Sequence, residues 1–203
     1  RFRAWIRRRG YSQAIQLPCL LRFGIDERRE PRWKFEVPVG RGRRVWLDFA
    51  LALDRAANRM RLSLIRLEGG DGPDALDDGE DVSVILRPDL EDRDHHTVTR
   101  AFEGAERAWP AAVTAGPDGF VFEPAAGRKL EVRAGRGGFI PEPEWTYMVE
   151  HPVEVSRGLA GHTDLFSPGY FELALAGGAS SVIVAGVNED VSGAGAPTVE
   201  SRA

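Results

Sequence analysis

The chain has 203 residues, of which 42% are hydrophobic, so it has enough apolar side chains for a packed core and is not wholesale disordered. No run of about 18 apolar residues occurs, so no membrane-spanning helix is expected, and the single cysteine, Cys19, excludes a disulfide framework and a cysteine-based zinc site. The formal charge is −4, but residues 1–44 are strongly basic and the remainder is acidic, which predicts ion pairs within one molecule rather than nucleic-acid binding.

Alternation of polar and apolar side chains predicts β-strands along most of the chain. Strands are expected at 15–23 and 33–39, and residues 43–68 are typical of a hairpin that turns at 54–58, although the alanines of that turn also tolerate a helix. The alternation changes parity at Ile65, which predicts a β-bulge. Further strands are expected, in chain order, around 82–86, 120–122, 130–132, 171–175 and 182–184.

A glycine pair, Gly177-Gly178, predicts that the last two of these strands form a hairpin. Residues 68–81 are acidic and are expected to form a solvated loop. Residues 141–168 mix aromatic, proline and charged side chains, which predicts a long loop of the kind that often binds ligands.

No amphipathic helix longer than two turns is evident in the sequence. The fold class predicted is therefore all-β, an antiparallel sandwich with few or no long helices. We expect a single domain over 1–190, and a flexible linker or tail at 191–203, where glycine, alanine, proline and serine prevail. The chain begins with Arg1 and has no signal peptide, which predicts a piece of a longer cytoplasmic protein.

Two adjacent histidines, His95 and His96, follow the carboxylates of residues 91–94 and could ligate a metal. On a strand they would point to opposite faces, and no second pair of ligands has a matching spacing. A hydrogen-bonded structural cluster is therefore favoured, and no metal or other cofactor is predicted. A metal-dependent hydrolase that uses these two histidines with His162 remains the third alternative for function.

Two aromatic residues, Trp145 and Tyr147, share one face if the chain is extended, and Glu150 and His151 follow them. Flat aromatic rings beside polar groups suit sugar rings, which stack through their C–H faces while their hydroxyls form hydrogen bonds. The alternative is that both rings anchor the segment to the core.

The next stretch contains Arg157, His162 and Asp164. His162 with Asp164 or Glu154 could carry out acid–base chemistry, but a glycosidase needs two carboxylates about 5–10 Å apart, and the sequence does not place Glu150, Glu154 and Asp164 that closely. The competing interpretation is a loop that Arg157 pins through a carboxylate. No nucleophile elbow, P-loop or dinucleotide fingerprint is present.

Residues 92–100, DRDHHTVTR, resemble the RDxHxxTR segment in the N-terminal domain of bacterial and archaeal glycogen debranching enzymes. Residues 145–169, WTYMVEHPVEVSRGLAGHTDLFSPG, resemble a second segment of that domain, which ends in a Leu-x-x-Pro-Gly turn, and residues 170–186 resemble its closing hairpin. The order and spacing of elements agree over 43–190. The family fold implied is a β supersandwich that rests on an α/α toroid.

In such amylo-α-1,6-glucosidases the catalytic acid and base lie in the toroid. The resemblance therefore implies a domain without catalytic residues of its own, whose partners are the C-terminal toroid of the same polypeptide and α-glucan, in glycogen catabolism. No nucleic acid or membrane partner is implied, and nothing in these residues supports a 4-α-glucanotransferase centre.

The residues expected to contact substrate or the toroid are Arg93, His96, Trp145, Tyr147, Glu150, His151, Arg157, His162 and Asp164. The second alternative for function is a stand-alone carbohydrate-binding or interaction sandwich.

Overall fold

The computed structural model describes residues 1–69, 72–94, 97–188 and 191. The strands of this part of the chain are, in order, β1 (Phe2–Arg8), β2 (Tyr11–Ala14), β3 (Leu20–Ile25), β4 (Pro31–Pro38), β5 (Arg44–Asp54), β6 (Arg59–Leu67), β7 (Val82–Pro88), β8 (Val113–Gly116), β9 (Gly119–Ala125), β10 (Arg128–Ala134), β11 (Gly138–Glu150), β12 (His162–Leu175) and β13 (Ser180–Val187). The α-helices are α1 (Ala105–Ala111) and α2 (Pro152–Ser156), and single 3₁₀ turns lie at Leu17–Cys19 and Ala101–Glu103.

The strands form two antiparallel sheets that enclose one hydrophobic core. The order is β11-β12-β7-β1-β2 in the five-stranded sheet and β3-β4-β5-β6-β13-β10-β9-β8 in the eight-stranded sheet. This arrangement confirms the predicted all-β antiparallel sandwich, and the longest helix of the described residues has seven residues. No helix in these ranges is long and apolar enough to span a membrane.

The predicted hairpin at 43–68 is confirmed as β5 and β6, which pair without interruption. The bulge predicted at Ile65 is wrong, because the alternation continues: Leu62, Leu64 and then Arg66 face inward, and Arg66 is 1% exposed. Its guanidinium donates hydrogen bonds to backbone carbonyls, at 2.9 Å to Asp77 and 3.2 Å to Leu175. A cation can occupy a core position here because these carbonyls satisfy its donors.

The single strand predicted at 15–23 is wrong. β2 ends at Ala14, the chain makes a 3₁₀ turn at Leu17–Cys19, and β3 begins at Leu20. Pro18 explains the break, since proline fixes φ and has no N–H to donate to a sheet ladder. The strands predicted in the middle of the chain are present as β4, β7, β9 and β10.

The hairpin predicted at Gly177-Gly178 is also wrong. The turn is present, but β12 pairs with β7 and β11 in one sheet while β13 pairs with β6 and β10 in the other. The glycine pair therefore carries the chain from one sheet to the other. Turn residues specify a reversal of the chain, whereas the pairing depends on strands that are distant in sequence.

The long loop predicted at 141–168 is replaced by the end of β11, the helix α2 and the start of β12. Pro141 and Pro143 hide this strand in the sequence, but β11 lies at the sheet edge, where proline is tolerated. The loop predicted at 68–81 is confirmed for its described residues, which contain only an isolated bridge between Ala75 and Arg44. Residues 192–203 lie outside the described residues, so the flexible tail stays a prediction.

The basic first 44 residues pair with the acidic remainder, as expected from the charge distribution. Arg3 contacts Asp89 at 2.7 Å and Glu144 at 2.6 Å, and Arg8 contacts Glu80 at 2.6 Å.

An apolar cavity of about 760 Å³ lies between the two sheets and is lined by residues of both. We call it the open cleft. Trp33, Phe35 and Phe49 line it, and Phe23, which is 54% exposed, packs against Trp33 at 5.4 Å between ring centroids.

Candidate functional site

A polar pocket of about 570 Å³ lies where Arg93, Thr97 and Val98 approach the connection between β11 and β12. Four of its lining side chains are His151, Glu154 and Arg157 of that connection and Arg93 of the facing segment. We call it the Arg93–Arg157 pocket. Three of the site residues expected from sequence therefore meet here, together with Glu154.

Hydrogen bonds to the start of β12 hold the segment that contains Arg93. Arg93 Nε donates to Glu91 Oε1 at 3.0 Å, and Thr163 Oγ1 donates to the same Glu91 oxygen at 2.6 Å. The backbone N–H of Thr99 donates to Thr163 Oγ1 at 3.0 Å. Thr163 was not expected at the site, because it lies 72 positions from Glu91 in the sequence and only the fold brings the two residues into contact.

Asp164 organises the neighbouring backbone. It is 5% exposed, and its two carboxylate oxygens accept N–H bonds from Ala101 and Met148, both at 2.9 Å. Met148 has φ +54° and lies where the β11–β12 register shifts. Because each of its oxygens accepts a backbone N–H bond, Asp164 holds this bulge against the segment that contains Ala101.

Aromatic rings stack beside this bulge. Trp145 lies 5.3 Å from Trp109 at an interplanar angle of 29°, and 5.3 Å from Phe166. Tyr147 follows at 6.4 Å and 16°, so the two predicted rings do stack on one face. Trp145 is half-buried against the core, as the structural alternative predicted, whereas Tyr147 is 53% exposed.

The Tyr147 hydroxyl donates to Glu106 Oε1 of α1 at 2.5 Å. This hydrogen bond to a carboxylate raises the pKa of Tyr147 above its ordinary value. The neutral phenol is thereby fixed at the surface, where Tyr147 is about half exposed.

The remaining expected residues lie around the pocket. Glu150 and His162 are register partners where β11 ends and β12 begins. Arg157 Nη1 lies 3.6 Å from Oε1 of Glu154, which is one of the two carboxylates proposed to pin it. Both side chains are exposed. The buried Nε2 of His151 has no hydrogen-bond partner among the described residues.

His96 and its neighbour His95 lie outside the described residues, so the structure does not place them. Within the described ranges, no group of three or more His, Cys, Asp or Glu side chains is arranged to hold a metal ion.

Comparison with known sequences gives one family for most of the chain. A family model described as "Glycogen debranching enzyme N terminal" matches residues 10–182. No curated protein matches the chain.

Proposed function

Because the chain belongs to the family of glycogen debranching enzyme N-terminal domains, we propose that it is the non-catalytic β domain of a cytoplasmic enzyme of glycogen breakdown. In this proposal it supports an α/α-toroid catalytic domain of the same polypeptide and helps to bind α-glucan. The observation that carries the proposal is the convergence of Arg93, His151, Glu154 and Arg157 on one pocket.

The chemistry of the pocket suits a polyhydroxylated ligand. Arg157, whose side chain is 65% exposed, supplies N–H donors, Glu154 supplies acceptors, and the buried Nε2 of His151 has no partner in the described residues. Sugar hydroxyls both donate and accept, so they can satisfy all three kinds of group.

Contact with a second domain is supported by apolar side chains around the pocket. Met148, Val153 and Val155 are each more than half exposed, and Leu159, which lines the pocket, is 44% exposed. Exposed apolar groups beside a polar pocket are typical of an interaction surface. We propose that the toroid packs here, so that the pocket becomes part of the wall of the glucan cleft.

The proposal assigns the hydrolytic step to the toroid. Of the two carboxylates considered from sequence as partners of His162, Asp164 is occupied by two backbone amides. Glu154 is exposed on α2 beside Arg157. The proposal therefore gives neither carboxylate the hydrolytic step, because Asp164 holds backbone amides and Glu154 pairs with Arg157.

The experiment is calorimetric titration of the chain with maltoheptaose. Arg157→Ala and His151→Ala are expected to weaken binding by about tenfold, equivalent to about 1.4 kcal/mol. Arg55→Ala, a change of the same kind in the exposed β5–β6 turn, is the control and is expected to bind normally. Unchanged affinity in both pocket variants would contradict the glucan role, and glucose release from branched dextrin by the chain alone would contradict the non-catalytic role.

A further inference from the structure

A second groove with mixed aromatic and charged lining lies on the outer face of the five-stranded sheet, away from the core. On β1, Ile6 faces the core and is fully buried, so its neighbours Trp5 and Arg7 face outward. Arg3 and Trp5 from β1, Arg87 from β7 and Tyr170 from β12 are among the residues that line a volume of about 380 Å³. We call it the outer groove.

The floor of the outer groove is a fixed network of charges. Arg87 is 6% exposed as a residue, donates to Glu142 Oε1 at 2.7 Å and lies 3.4 Å from Glu144 Oε2. Arg3 donates to the other oxygen of Glu144 at 2.6 Å and to Asp89 Oδ1 at 2.7 Å. Donors and acceptors are therefore oriented before any ligand arrives, which lowers the entropy cost of binding.

Two aromatic rings stand among these charges. Trp5 pairs in register with Ala14 on one side and Ile85 on the other, and both Trp5 and Tyr170 are partly exposed. The Arg3 guanidinium lies 5.8 Å from the Trp5 ring, and that of Arg87 lies 5.4 Å from the Tyr170 ring. These cation–π contacts fix the orientation of both rings.

The register separates the two rings by two strands and two residues. At strand spacings of about 4.8 Å and a rise of about 3.4 Å per residue, the two backbone positions are about 12 Å apart. The surface between them contains the outward side chains of Ile85 and Arg87. An extended ligand that contacts both rings therefore passes over the charged floor.

The balance of charge decides among ligand classes. The lining contains Arg3, Arg7 and Arg87 against Glu142 and Glu144, so a nucleic acid would meet two carboxylates beside its phosphates. A wholly apolar partner would bury ion pairs without compensation. A neutral chain of sugar rings can stack on the aromatic faces while its hydroxyls bond to the carboxylates and guanidiniums.

We infer that the outer groove is a second carbohydrate site, at which an α-glucan chain contacts Trp5 and Tyr170 and forms hydrogen bonds with Arg7 and Glu142. Arg7 and Glu142 are exposed, and Arg7 has no ion pair among the described residues. The choice of α-glucan as the ligand rests on the proposed function, whereas the site itself is separate from the Arg93–Arg157 pocket.

The test is calorimetric titration of the chain with maltohexaose, with urea unfolding of every variant to confirm the fold. Trp5→Ala and Tyr170→Ala are each expected to lower affinity for the outer groove by about tenfold. Phe23→Ala, a change at an exposed aromatic residue of the other sheet, is the matched control and is expected to bind normally. If Trp5→Ala fails to fold, Glu142→Ala and Arg7→Ala replace it, because both side chains are exposed.

The outcomes separate this inference from the proposed function. Lower affinity in the Trp5 and Tyr170 variants supports the outer groove. If these two variants keep normal affinity while Arg157→Ala binds more weakly, the outer groove is overturned and the pocket proposal stands. Reduced affinity in the outer-groove variants with normal binding in Arg157→Ala supports the groove and contradicts the pocket. If the unmodified chain does not bind maltohexaose, both fail.

Discussion

Replacing Trp145 by alanine separates a structural from a ligand-binding role for the aromatic stack. The indole contacts Trp109 and Phe166 at 5.3 Å and Tyr147 at 6.4 Å. Truncation of a large aromatic side chain packed in this way costs about 3–5 kcal/mol of unfolding free energy. For a urea m-value of about 2 kcal/mol per M, the unfolding midpoint is expected to fall by about 2 M.

The matched variant Trp145→Phe tests the physical reason. The buried indole Nε1 has no hydrogen-bond partner among the described residues, so phenylalanine removes ring area and no hydrogen bond. We expect it to lose less than half as much stability as Trp145→Ala. The assay is urea unfolding followed by circular dichroism, with maltoheptaose affinity measured on the folded fraction of each variant.

Affinity per folded molecule is expected to be unchanged in Trp145→Ala and lowered in Tyr147→Ala, whose ring is exposed. A small midpoint shift with lost affinity in Trp145→Ala would refute the assignment of Trp145 to the core.

Three further predictions follow from particular contacts. Arg66→Met is expected to lower the unfolding free energy by at least about 3 kcal/mol, because buried carbonyls lose their hydrogen-bond donor. In urea unfolding, Arg66→Lys should lose less stability than Arg66→Met. Gly169→Ala is expected to lower the unfolding free energy by about 2–4 kcal/mol. Gly169 has φ +155°, and an added Cβ would lie 2.2 Å from the Ile140 carbonyl oxygen. A normal thermal midpoint would contradict the close approach. The hydrogen bond with Glu106 favours the neutral form of Tyr147 and raises its pKa in the folded chain. The contribution of this hydrogen bond to folding stability is therefore fully present below the unfolded pKa of about 10, and it is lost as pH rises through the raised folded pKa. Phenolate absorbance should accordingly show one late-titrating tyrosine that disappears in Tyr147→Phe, and identical titration curves would exclude the Glu106 bond.

The sequence predicts the local part of the fold well, because alternation reports which face of a strand is buried. It predicts β5 and β6 from apolar side chains alone. The prediction from alternation is wrong at Arg66, because a cation occupies an inward position at which the pattern predicts an apolar side chain. It also fails at β11, because a proline-containing edge strand has the same composition as a loop.

Three of the nine residues expected at a site line one pocket, and their roles in it stay predictions. The unusual combination of residues in 145–164 identifies the region, and Arg93, His151 and Arg157 do converge. The sequence cannot show that Asp164 binds the backbone amide of Ala101, which lies 63 positions earlier. The partners of a carboxylate depend on contacts between distant segments, and these decide whether it is a scaffold or a reactive group.

The open cleft changes how the folding of this chain has to be monitored. Dyes such as anilinonaphthalene sulfonate fluoresce on exposed apolar surface and are used to detect molten globules. Here the native chain itself offers an apolar cavity of about 760 Å³, and the exposed Phe23 packs against Trp33 in its lining, so the dye should bind the folded form. A bright dye signal from a freshly purified sample would therefore be a property of the native state, and near-ultraviolet circular dichroism would be the measurement that reports loss of packing.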